Sequence, residues 1–117
     1  MPSAEKKSFN SPDETRRFNN GIVEIVKLGE GTVGRTIFQP GWRWSTDVKP
    51  IAKTELCEAP HVLYCVSGRM HVVMGDGTEF EVGPGDVGSI PPGHDAWVVG
   101  DQPCVGVDWS GMENYAK

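Results

Sequence analysis

The 117-residue chain has no apolar run near the roughly 20 residues that a membrane-spanning helix needs, so no such span is expected. Its first residues, MPSAEKKSFN, carry no apolar stretch behind the lysines, and no secretory signal is read there. The cytoplasm is the simplest compartment on that reading. Basic residues are scarce: 11 Lys and Arg stand against 16 Asp and Glu, for a net charge of −5. Four of the 11 lie in residues 1–17 beside three acids, which leaves the rest of the chain at −6. An acidic body repels a phosphate backbone, and no basic stripe offsets it. Neither nucleic acid nor a membrane surface is expected as a partner. Cysteine is limited to Cys57, Cys65 and Cys104. An odd number without a signal argues against a disulfide framework, so each thiol is read as a core residue or a ligand. No repeat, low-complexity tract or heptad is present, and no helical apolar period is long enough to predict a long helix.

What is abundant is punctuation. Fifteen glycines and nine prolines divide the chain into short β-branched segments. Strands are predicted over 22–28, 32–38, 61–66, 70–74, 78–82, 87–90, 95–99 and 104–109, with the alternating Trp42-Arg43-Trp44 as another. Residues 46–53 read as a loop, and 55–57 as short and extended. Asp76-Gly77 is a strong hairpin signal. Short strands with turns at this spacing mean an all-β sandwich or barrel. Residues 1–20 are polar and unpatterned and are read as an N-terminal arm on one β-barrel domain, 21–117.

Gly29-Glu30-Gly31-Thr32-Val33-Gly34 fits the G-x-G-x-x-G string of dinucleotide sites. Such a site needs a helix after the glycines, to hold pyrophosphate at its N-terminus. Here a β-branched strand follows, so the match is read as coincidence in a glycine-rich chain.

The segment from Glu55 to Trp109 resembles the cupin superfamily. Gly85, Pro91 and Gly93 match three fixed positions of its second motif, G-x5-P-x-G-x2-H, and Gly68 matches the final glycine of its first, H-x-H-x3-E-x6-G. Counting back from Gly68, the glutamate position falls on His61 and the two histidine positions on Cys57 and Glu55. The string from Ile90 to Trp97 is similar to that of small single-domain bacterial cupins. The resemblance implies a small jelly-roll barrel, a homodimer and a small-molecule ligand in the barrel cavity. It departs at one point: Ala96 stands where the family places its fourth ligand, a histidine.

Residue chemistry adds a constellation. Glu55, Cys57 and His61 share odd parity, so in an extended segment they lean to one face. His94 and Ala96 share a face as well. Carboxylate, thiolate and two imidazoles suit a tetrahedral zinc, and the thiolate favours zinc, then iron or copper, over magnesium or calcium. His61 and His94 rank first as ligands, then Cys57, then Glu55. The opposing reading is that buried cysteine only fills space and that Pro60 breaks the parity between Cys57 and His61. His71, with no visible partner, is read as structural, and Cys65 and Cys104 as core. Trp42, Trp44 and Trp97 are candidates for a substrate pocket, with plain sheet packing as the rival explanation. Asp95 and Asp108 are candidate polar partners, Asp95 as a carboxylate that orients a histidine. The function expected is a metal-binding protein that binds or acts on a small molecule, its reaction unassigned. The alternative is a non-catalytic binding or sensor module without a complete metal site.

Overall fold

Two antiparallel sheets face each other across one core. The structure, a computed structural model, describes residues 4–29, 31–110, 112 and 115. Its elements are β1 (Glu14–Phe18), β2 (Gly21–Leu28), β3 (Gly31–Phe38), α1 (Trp44–Asp47), α2 (Lys49–Ala52), β4 (His61–Ser67), β5 (Met70–Met74), β6 (Glu79–Val82), β7 (Val87–Ile90), β8 (His94–Val98) and β9 (Cys104–Asp108). The larger sheet runs β1-β2-β3-β9-β4-β7 and the smaller β6-β5-β8.

Alternation decides which side chains go inside. Along β8 and β9 every second residue is buried, starting from His94 and from Cys104. Along β4 the buried set is His61, Leu63 and Cys65. One-residue slips would turn these sets outward, so burial fixes the register. Val23, Ile25, Val72 and Ile90 fill the space between the sheets with Trp42 and Trp44. The chain crosses from the larger sheet to the smaller at Gly68. This residue has φ +77, and a Cβ there would sit 2.2 Å from the Pro103 carbonyl oxygen, so both conformation and space demand glycine. Asp76-Gly77 makes the β5–β6 hairpin, with Gly77 N–H donating to Met74 O at 2.9 Å.

Three local assignments differ from the sequence reading. Trp42-Arg43-Trp44 is not a strand. Arg43 alone is bridged to Trp97, and Trp44 begins a single helical turn. The buried Asp47 carboxylate accepts the Arg43 backbone N–H at 3.0 Å and the Asn19 amide at 3.0 Å, which ties the turn down. Residues 46–53, read as loop, contain the ends of both short helices, with Pro50 at the start of the second. Residues 14–18, inside the stretch assigned to the arm, form the edge strand β1, paired with β2 from Glu14↔Ile25 to Phe18↔Gly21. An arginine at the inward position hides this strand from a hydrophobic pattern. Arg16 is buried, and its guanidinium donates to Met112 O at 2.7 Å and Tyr115 O at 2.6 Å, beside an ion pair with Glu14. Residues 1–3 of the arm and Glu30 of the glycine string lie outside the described residues. Gly29 and Gly31 flank the β2–β3 turn, a strand-to-strand setting with no helix to receive a phosphate.

Replacing Arg16 with Ala strands two buried carbonyls and is expected to destabilise the protein by about 2 kcal/mol. Urea unfolding checks this: the midpoint falls while the slope is unchanged. A midpoint equal to the parent's would show that Arg16 does not hold the chain end.

Candidate metal centre and cavity

His61 and His94 each open an inward-facing strand, one from each sheet, and Cys57 lies on the loop that leads into β4. The loop is clamped rather than free. Cys57 N–H donates to His94 O at 2.8 Å, and Gly93 N–H donates to Cys57 O at 2.7 Å. Gly93, at φ +96, makes the turn that aims His94 inward. Cys57 Sγ lies 3.8 Å from His61 Nε2. One ligand atom from each of Cys57, His61 and His94 falls within 4.8 Å of the others, and all three residues are buried.

Both imidazoles are held from behind. His61 Nδ1 meets Asp108 Oδ2 at 2.5 Å, and Asp108 Oδ1 accepts the Ser110 N–H at 2.8 Å. His94 Nδ1 donates to Pro91 O at 2.9 Å. A ring nitrogen engaged in this way fixes the tautomer and leaves Nε2 as the ligand atom. Burial pushes the Cys57 thiol up, but hydrogen bonds from His61 and His94 outweigh it and bring its pKa down to about 7. Burial pushes His61 down, but Asp108 and Cys57 outweigh that and raise it to about 9. The cluster therefore favours imidazolium at His61 near neutrality and makes the Cys57 thiol easier to ionise than a free one. Cys65 and Cys104 behave oppositely, since burial raises both thiols, Cys104 to about 12.

A cavity of about 40 Å³ opens beside the two histidines. Its walls are mainly apolar, with Trp42, Trp44, Leu63 and Ile90 among them, and Tyr115 and Met112 reach it from the chain end. Tyr115 packs edge-on against His61, ring centroids 5.5 Å apart. Cys57 is not among the lining residues, so the cavity meets the cluster through its imidazoles.

The structure brings together Cys57, His61 and His94, and it places Trp42 and Trp44 in the cavity wall. Glu55 is not in the cluster. Its side chain is 91% exposed and pairs with Lys49 Nζ at 3.0 Å. Residues 54–56 bend, with Thr54 Oγ1 donating to Leu56 O, so strand parity does not carry from Glu55 to Cys57. Trp97 faces away from the cavity. It stacks on His71 at 4.7 Å with the Arg43 guanidinium 4.1 Å over its ring. Asp95, on the same outward face of β8, accepts the Ser45 N–H and lies 3.8 Å from Arg43. The carboxylate that orients a histidine is Asp108, not Asp95. Its parity with Cys104 and Gly106 on β9 was the available signal. His71 bonds Glu79 at 2.7 Å and Glu81 at 3.2 Å outside the barrel, and these carboxylates raise its pKa. Nothing in the periodicity flags Met112 or Tyr115, which follow the last strand.

No protein-family model matches the chain, and no curated protein matches its sequence. Solved structures do match. An oxalate decarboxylase from Lactobacillus farciminis, in a formate complex, aligns over 87% of this chain with TM-score 0.63 and 23% identity. The match covers 32% of that enzyme, so the chain spans about a third of its length. The polyketide cyclase RemF from Streptomyces resistomycificus aligns over 92% of this chain and 79% of its own, with TM-score 0.64 and 19% identity. A sugar phosphate isomerase of the cupin superfamily from Silicibacter pomeroyi aligns over 92% and 76%, with TM-score 0.64 and 18% identity. Identities this low speak for architecture and not for activity. Strand order, inward-facing histidines and these likenesses agree on one point: the chain has a two-sheet fold resembling the cupin jelly-roll barrel.

Proposed function

We propose that this protein binds a divalent transition metal through Cys57, His61 and His94, and that it binds or acts on a small molecule in the adjoining cavity. The observation that carries the reading is the convergence of three donor atoms within 4.8 Å, with each imidazole's other nitrogen already engaged. The donor set fits the ion. Bond lengths of about 2.3 Å for zinc–sulfur and about 2.0 Å for zinc–nitrogen put tetrahedral ligands about 3.5 Å apart, and Cys57 Sγ and His61 Nε2 stand at 3.8 Å. One thiolate and two imidazoles favour zinc first, then iron or copper. When bound, such an ion with an open coordination position supplies a Lewis acid to a substrate oxygen. The chain's own residues supply the rest: Asp108 and Pro91 orient the imidazoles, and the apolar walls exclude water.

A second reading, a non-catalytic binding or sensor module, draws on Ala96. It is buried in the cavity wall where the resemblance calls for a fourth ligand. We further propose a cytoplasmic homodimer. Free, buried cysteines suit a reducing compartment. The exposed Val62, Tyr64, Val66 and Val87 give the outer face of β4 and β7 an apolar patch beside an open sheet edge. Among the described residues no helix is long and apolar enough to cross a membrane.

Elemental analysis of zinc-exchanged protein tests the main reading. One zinc per chain is expected, lost in His61→Ala and Cys57→Ser. Asp108→Asn is expected to keep the fold and weaken zinc about 10- to 100-fold. Metal-free parent protein that a small molecule stabilises against heat would favour the sensor reading instead.

The pH dependence has a definite sign. The ligand forms are imidazole and thiolate, whereas His61 holds its proton up to about 9 and Cys57 up to about 7. Zinc affinity is therefore expected to rise with pH through both values and to level off above about 9. At pH 7, zinc binding should release protons from both Cys57 and His61, read by calorimetry in buffers of different ionisation enthalpy. Binding with no net proton release would remove Cys57 and His61 from the ligand set.

A further inference from the structure

The stretch that follows β9 is held differently from the rest of the barrel. Among the described residues, its last backbone bond to a strand is Trp109 N–H to Val62 O at 2.9 Å. Beyond that point Met112 and Tyr115 are buried, and both lie in the cavity wall. Each has a seat in the fold. Met112 lies on Gly34 of β3, where a Cβ would stand 2.6 Å from the Met112 Cγ, so the glycine leaves the room that the methionine fills. Tyr115 packs edge-on against His61 and against Phe18 of β1, with ring centroids 5.5 Å and 6.4 Å apart. One side chain meets both carbonyls: the buried Arg16 donates to Met112 O at 2.7 Å and to Tyr115 O at 2.6 Å, and is itself paired with Glu14.

This mode of attachment differs in kind from a strand ladder. A ladder shares the load over many backbone bonds, whereas this seat hangs on one cation whose burial costs free energy. The cluster beneath has the opposite problem. Cys57, His61 and His94 are 3%, 7% and 3% exposed, so nothing from solvent reaches them unless part of the fold moves. The strands that carry the two histidines are fixed by ladders on β7, β9 and β5, and the Cys57 backbone is bonded to Gly93 and His94. Of the segments around His61, the one seated without a ladder is the stretch after β9.

We propose that this stretch is a lid over the His61 side of the cluster, latched by Arg16, and that its release admits the ion and the small molecule. The proposal rests on the reading of cluster and cavity as a site that ligands enter. Met112 and Tyr115 leave together, because one guanidinium holds both carbonyls. Their departure uncovers His61 and opens the cavity wall, while the β4–β9 ladder and the contact between His61 and Asp108 stay in place.

Iodoacetamide labelling of chelator-treated protein, mapped by peptide mass, tests this. In Met112→Cys the thiol introduced at position 112 reports the lid, and Cys57 reports the cluster beneath it. Both are expected to be labelled at rates that stay flat in low urea, the mark of local opening, and climb only near the unfolding midpoint. Arg16→Ala is expected to speed both about thirtyfold, the equivalent of two lost hydrogen bonds. A lock gives the converse. A Cβ at Gly34 would stand 3.3 Å from the Met112 Cβ, close to the roughly 3.5–4.5 Å that a disulfide spans. Gly34→Cys combined with Met112→Cys should therefore cross-link on oxidation. The oxidised double variant is expected to label Cys57 about tenfold more slowly than the same protein reduced. Labelling that follows the global unfolding slope from zero urea, or Cys57 rates that the lock leaves unchanged, overturn the lid. If Met112→Cys fails to fold, the Cys57 rates of the parent and of Arg16→Ala still decide. Zinc content of the zinc-exchanged parent separates the two ideas. Zinc bound without lid opening sinks the lid alone, and lid opening without zinc sinks the metal reading alone.

Discussion

The contact between Asp108 and His61 is the constraint on which the site depends. A buried carboxylate is costly unless its lone pairs are used. Here one oxygen meets the imidazole and the other a backbone N–H. The pair is held by strand pairing in the middle of the larger sheet, where β9 lies between β3 and β4 and Leu63 stands opposite Asp108. That placement gives the imidazole one ring orientation. It also raises the His61 pKa against the pull of burial, and His61 in turn helps lower that of Cys57. Remove the carboxylate and both effects weaken together.

The second histidine is placed by a different device. His94 belongs to the smaller sheet, and its partner is a backbone carbonyl, not a charge. Beside it, a bridge between Cys57 and His94 pairs the loop that leads into β4 with the start of β8. The three candidate ligands thus come from one sheet, the other sheet and the loop that leads into β4. A metal held by all three would staple the sheets, so its binding free energy would add to the stability of the folded state.

Much of this was legible in the chain because period-two burial is a local signal. The parity of His61, Leu63 and Cys65, and of His94 and Ala96, is enough to put each set on one inner face, and the glycines and prolines mark the turns between them. The illegible parts are those where the backbone stops being a strand. Glu55 shares parity with Cys57 on paper, but the bend over 54–56 cancels it. Trp42 and Trp44 reach the cavity wall by way of a helical turn stabilised by Asp47, not by strand alternation. Trp97 sits one residue out of phase with His94 and Ala96, and so it lies outside, sandwiched by contacts to His71 and Arg43. β1 escaped notice because its inward residue is charged, and that charge is satisfied by carbonyls nearly 100 residues away in sequence, a separation no local pattern encodes.

Ala96 ties these observations to chemistry. A structural zinc site closes its tetrahedron with four protein ligands, whereas a working site keeps a position open. The chain brings together three donors, and the methyl group of Ala96 stands in the cavity wall near the strand start that carries His94. A histidine there would bring a second imidazole to the inner face of β8 and take up space in a cavity of only about 40 Å³. The methyl does neither. It keeps the space, and it keeps the wall apolar. The same substitution that weakens the likeness to a four-ligand motif is therefore what leaves room for a small ligand beside the cluster.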